Sequence, residues 1–134
     1  MRKAYMLASL AALIAATPAA AERCDSYRIP LSNKLRQFEA AQISATGQTV
    51  RPGQVRLVYE DRGWQMVWAT PDNAERGVFV FRKDSGAFKY VDVWGGVLAP
   101  DEVGSGTSWA VKLPHGGVPR RLAICFEAMV MRGV

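Results

Sequence analysis

Between Gln54 and Trp94 apolar and polar positions alternate with a period of two, in four runs: QVRLVYE (54–60), WQMVWAT (64–70), Gly77–Lys83 and Ala87–Trp94. A period of two places successive side chains on opposite faces and is the signature of a β-strand. The first two runs flank Asp61-Arg62-Gly63 and the last two flank Asp84-Ser85-Gly86. Each linker is a short turn with glycine available for positive φ, so the pattern predicts two hairpins, joined through Pro71–Arg76 into a four-stranded antiparallel meander. Upstream, Leu31, Leu35, Phe38 and Gln42 recur at helical spacing, with Ser32 or Asn33 to cap and Gly47 to stop. One amphipathic helix is predicted over residues 31–44, followed by a connecting loop over 48–53.

Downstream of the meander the pattern weakens. The stretch GGVLAPDEVGSGTS (95–108) carries four glycines and a proline and predicts a loop. Trp109–Leu113 alternates briefly and is expected to form a fifth strand, ended by Pro114–Pro119. In residues 119–133, Leu122, Cys125, Phe126, Met129 and Val130 fit a helix, with Pro119 at its first turn and Gly133 as its stop. Leu122, Ile124 and Phe126 also fit a strand, and helix is preferred. The fold class is therefore α+β: one small domain with a four- to five-stranded antiparallel meander packed by two helices. Val58, Val67, Val78, Val80, Val91 and Val93 make the second strand faces apolar as well. Such a sheet is covered on both sides or curled toward a partial barrel.

The beginning of the chain changes the picture. Arg2 and Lys3 form a positive region, Met6–Ala16 an apolar one, and Ala19-Ala20-Ala21 a small-residue cleavage site, the pattern of a secretory signal peptide. The apolar run is shorter than the roughly 18–20 residues needed to span a bilayer, so cleavage after Ala21 is expected, with no membrane anchor left behind. Residues 22–134 then form one exported domain, periplasmic or secreted. Without Arg2 and Lys3 the remaining chain carries 15 basic and 12 acidic side chains, a net of +3. That modest, scattered excess argues against nucleic-acid binding. In an oxidising compartment Cys24 and Cys125 are expected to pair as a disulfide. With His115 as the one histidine, no metal site and no cofactor are expected.

Candidate chemistry is sparse. On an unbroken strand Phe88, Tyr90, Asp92 and Trp94 would share one face, leaving a carboxylate among three rings. Asp92 is then either a paired structural group or an anchor at the end of the strand, beside the glycine-rich loop with its acidic pair Asp101-Glu102. Trp64 and Trp68, Phe79 and Phe81, and Phe88, Tyr90 and Trp94, on three of the strands, suggest one aromatic sheet face, either core or a stacking platform for sugar; a sugar platform requires Trp64 or Trp94 to be exposed. Neither a Gly-x-Ser-x-Gly elbow nor a phosphate loop is present, and enzyme activity is the minority reading.

The run DSGAFKY (84–90) resembles the Ser-Gly-x-x-Tyr type of loop in small periplasmic lysozyme inhibitors, over about seven residues; the paired cysteine pattern of that family is not reproduced. The resemblance implies Ser85 and Tyr90 as binding candidates. Together these features favour an exported binding or inhibitory module acting by non-catalytic protein–protein contact. Its candidate surface is Ser85, Tyr90, Asp92, Trp94, Asp101 and Glu102, with a protein partner expected and a glycan as the lesser option. The alternatives are a carbohydrate- or cell-wall-binding module using exposed tryptophan and a small periplasmic hydrolase using Asp92 and His115.

Overall fold

Two tight hairpins set the architecture. In the computed structural model, which describes residues 24–132, strands β1 (Val55–Asp61), β2 (Trp64–Ala69), β3 (Gly77–Asp84) and β4 (Ala87–Gly95) pair in sequence order as an antiparallel meander, not closed into a barrel. The signal peptide expected over residues 1–21 lies outside the described residues. Asp61 faces Trp64 and Asp84 faces Ala87, so each hairpin turns on two residues, Arg62-Gly63 and Ser85-Gly86. All four have positive φ, the mirror-image turn whose twist matches that of paired strands.

Helix α1 (Asn33–Ser44) covers one face of the sheet, and helices α2 (Ser105–Val111) and α3 (Arg120–Arg132) cover the other. This double cover explains why every residue of β2 is buried. Val55, Val58, Val67, Ala69, Phe79 and Phe81 pack toward α1, whereas Tyr59, Trp64, Met66, Trp68, Val78 and Val80 pack toward α2 and α3. The expectation of a single aromatic face is corrected: Trp68 lies opposite Val78 and Val67 opposite Phe79, so register sends the tryptophans and phenylalanines to different cores.

A bulge divides β4. Phe81 pairs with Tyr90 but Val80 pairs with Asp92, leaving Val91 as an extra residue. One extra residue shifts the alternation, so Phe88 and Tyr90 stand on the α1 side with Phe81, and Asp92 and Trp94 on the other side with Val80 and Val78. The expected shared face of Phe88, Tyr90, Asp92 and Trp94 therefore does not exist.

The Ser32 side chain accepts the Leu35 N–H at 3.0 Å and starts α1 as expected. Leu31 and Leu35 pack against the core and Gln42 reaches β2 as expected, but Phe38 is 51% exposed, and Glu39, Ala40 and Ile43 are the fully buried positions. The reason is Gln65, a polar residue in the middle of β2 and 1% exposed, which draws Glu39 and Gln42 under the helix as hydrogen-bond partners.

The expected loop over 95–108 and fifth strand over Trp109–Leu113 are also corrected. Pro100–Glu102 makes one 3₁₀ turn and Ser105–Val111 is α2. Glu127 of α3 accepts the Thr107 N–H at 3.0 Å, satisfying a donor in the first turn of α2. Buried Gly106 lets the two helices meet, since a methyl there would lie 3.2–3.3 Å from Leu98, Phe126 and Glu127. Trp109 then joins Trp94 and Phe126 in a ring cluster with centroids 5.2–5.8 Å apart, Trp94 meeting both partners edge-to-face. The last segment is helical, burying Leu122, Ala123, Cys125, Phe126 and Val130.

Candidate functional site: a cleft behind the disulfide

Cys24 and Cys125 form the expected disulfide, with Cα atoms 5.5 Å apart. From Cys24 the chain runs along the outer edge of β1, where Arg28 bridges to Tyr59, the Ile29 N–H donates to the Val58 carbonyl at 2.9 Å, and the Glu60 N–H donates to Tyr27 at 2.8 Å. That edge is thus covered. Between this segment and α3 lies a cleft of about 510 Å³, within the range typical of small-molecule sites.

The walls follow from periodicity. On α3, Arg121, Ile124, Cys125, Ala128, Met129 and Arg132 face the cleft at helical spacing, while Leu122, Phe126 and Val130 point to the sheet. On the other wall Tyr27 and Arg28 come from the amino-terminal segment and Tyr59 from β1. As bridge partners, Arg28 and Tyr59 project to the same side. Tyr59 is 2% exposed and meets Trp68 edge-on at 5.1 Å. Burial raises its hydroxyl pKa; Arg28 opposes that shift, Asp25 adds to it, and Arg132 opposes it. The rim thus carries three guanidinium groups and one carboxylate around a mostly apolar interior.

A second polar group is buried beneath α1. Glu39, 0% exposed, accepts from Gln65 Nε2 at 2.6 Å and from Gln42 Nε2 at 2.9 Å, and Gln42 also donates to Gln65 Oε1 at 3.0 Å. Burial pushes its pKa up to about 7, against the pull of these two amides and with a further push from Glu60.

The six residues singled out from the sequence are spread along β4 and the chain beyond it. Ser85 is an exposed turn residue whose hydroxyl donates to Asp84 at 3.3 Å. Tyr90 is 44% exposed and packs edge-on against Phe81 at 5.9 Å. Burial raises its hydroxyl pKa, with a smaller push from Asp92. Trp94, half-buried, belongs to the ring cluster under α3. Glu102 folds back to accept the Ala99 N–H at 2.8 Å, and Asp101 is exposed beside it. At a rise of about 3.3 Å per residue, Ser85 and Trp94 are roughly 30 Å apart. Gly86 and Tyr90 are separated by three residues, one more than the inhibitor-type loop has.

Asp92 has a local task. The Gly96 N–H donates to the Arg76 carbonyl at 2.9 Å, which fixes the antiparallel phase: Trp94 and Asp92 bond to β3, and the Val93 N–H points away from it. Asp92 Oδ1 accepts that outward N–H at 2.8 Å. The carboxylate therefore satisfies a donor on an edge strand. His115 sits in a left-handed turn position, φ +64. Trp64 is 2% exposed, with Arg82 stacked over it at 5.2 Å, so the sugar platform loses that ring to the core. Among the described residues no group of three or more His, Cys, Asp or Glu could hold a metal ion.

None of the cleft residues except the cysteines was singled out from the sequence. The signal that could have found them was the disulfide itself, which brings residues 24–28 against the Arg121–Arg132 helix. The contribution of Tyr59 was hidden because it depends on the strand pairing of Arg28. Comparison with known protein families, characterised proteins and solved structures gives no match for this chain.

Proposed function

We propose that the protein is an exported, non-catalytic binding module that holds a small ligand in the cleft between its amino-terminal segment and α3. The cleft carries this reading: about 510 Å³ of space with convergent polar groups at its rim, walled by a disulfide and two tyrosines. Export is supported by the amino-terminal signal pattern and by the Cys24–Cys125 bridge, which suits an oxidising compartment. No helix among the described residues is long and apolar enough to cross a membrane. The test is fluorescence titration with 1-anilinonaphthalene-8-sulfonate, using the oxidised protein purified from a secreting host. Saturable binding that Ala128→Trp abolishes is expected. Non-saturable binding, or binding unchanged by that plug, would overturn the reading.

The expected protein contact stands as a second reading, favoured by the outer edge of β4. Tyr90 and Val93 are exposed there, Val97 follows at 54% exposure, and among the described residues no strand pairs with that edge. An extended segment of an inhibited partner could add as a further strand. If it does, Val93→Pro abolishes inhibition of that partner and leaves ligand binding in the cleft unchanged; persistent inhibition removes this reading.

A further inference from the structure

We infer that the cleft takes an anionic amphiphile, an apolar body bearing one carboxylate or phosphate, with its head group at the Arg28–Arg132 end and its body along α3 toward Arg121. This rests on the cleft being the binding site. Three observations carry it.

The first is charge. Among the described residues the ion pairs within 4 Å include Arg51–Asp72, Arg62–Asp61 and Lys89–Asp84, and none involves Arg28, Arg121 or Arg132. A guanidinium offers a planar fork of donors suited to carboxylate or phosphate, and a half-enclosed site strengthens that pairing relative to open water. The cleft holds three such groups against Asp25 alone, which favours an anion over a cation.

The second is the interior. Between Arg121 and Arg132 the cleft-facing residues of α3 are Ile124, Cys125, Ala128 and Met129, none of them charged. Ile124 is 48% exposed. A branched aliphatic side chain left this open beside a methionine and two tyrosine rings is apolar surface that a hydrocarbon body would remove from water.

The third is polarity along the cleft. Arg121 and Arg132 are eleven residues apart on α3, about 16 Å at a rise of about 1.5 Å per residue. One head group cannot reach both. Arg28 shares a side with Tyr59 through their bridge, and Arg132, in the last turn of α3, lines the same cleft and is the α3 arginine whose charge acts on that tyrosine, which places these two arginines at one end. Arg121 stands alone at the other end, beyond the apolar stretch.

The experiment is displacement of bound 1-anilinonaphthalene-8-sulfonate by a series with one chain and different heads: decanoate, decyl phosphate, decanol and decyltrimethylammonium. Decanoate or decyl phosphate should bind at least tenfold more tightly than the neutral and cationic members, about the effect of one charge-assisted hydrogen bond. The stronger of the two tells a carboxylate from a phosphate head. Arg28→Gln with Arg132→Gln should erase the preference for anions without changing the melting temperature, whereas Arg121→Gln should keep most of it. Equal binding of all four heads, with Ala128→Trp still abolishing it, overturns the head-group assignment and leaves the cleft as the site. An Arg121→Gln effect as large as that of the double variant overturns the orientation. Failure of the probe and every chain to bind, or binding that ignores Ala128→Trp, defeats the cleft reading itself.

Discussion

Two carboxylates do opposite things to this fold. Glu39 is buried, and its pKa is raised from 4.5 to about 7. The folded protein therefore holds the proton more tightly than the unfolded chain does. Below about pH 4.5 both states are protonated and the site adds no pH dependence. As pH rises toward 7 the unfolded chain ionises first, and stability falls by roughly 3 kcal/mol before levelling. Urea unfolding between pH 4.5 and 8 should show that decline, and Glu39→Gln should flatten it, the neutral amide keeping part of the hydrogen-bonded cluster with Gln42 and Gln65. Asp92 is half-buried on the edge strand and occupies the outward Val93 N–H. Asp92→Ala frees that donor and removes a charge from an edge, so sedimentation should show increased self-association with melting changed little.

At the scale of elements, close approach decides what composition alone does not. Helix α2 has seven residues, too few to be stable in isolation, and holds its place because Gly106 admits α3 and Glu127 satisfies the Thr107 N–H. Gly106→Val has no room among Leu98, Phe126 and Glu127 and should cost roughly 1–3 kcal/mol in chemical denaturation, partly by prising apart the cluster of Trp94, Trp109 and Phe126. The amino-terminal segment depends on its staple in the same way. The disulfide spans 101 residues, and the chain-entropy relation assigns such a bridge about 4–5 kcal/mol. Cys24→Ser with Cys125→Ser should lower stability by an amount of that order. It should also release one wall of the cleft, so that probe binding falls more than the fraction of unfolded protein explains.

The molecule as a whole is a sheet between two unequal covers, with a cleft where the second cover meets a strand of irregular chain. The sequence by itself determined the parts whose signals are local. Alternation marked all four strands, Arg62-Gly63 and Ser85-Gly86 fell within the predicted turns, Ser32 announced α1, and the lone cysteine pair announced the disulfide. It could not show the bulge at Val91, because an extra residue is visible only against the register of β3, and so it placed Asp92 among the wrong neighbours. It read Trp109–Leu113 as a strand because alternation over five residues also fits part of a helix, and only Gly106 packed against Phe126 distinguishes them. One position of the α1 stripe was misjudged for a related reason: Phe38 is apolar but exposed, whereas its neighbour Glu39 is held inward by Gln65, 26 residues away. The cleft was least visible, since Arg28, Tyr59 and Arg132 lie far apart in the chain and become one surface through a β-bridge and a disulfide. Local patterning determines elements through nearest-neighbour sterics and solvation; faces, register and sites depend on which distant side chains must satisfy one another.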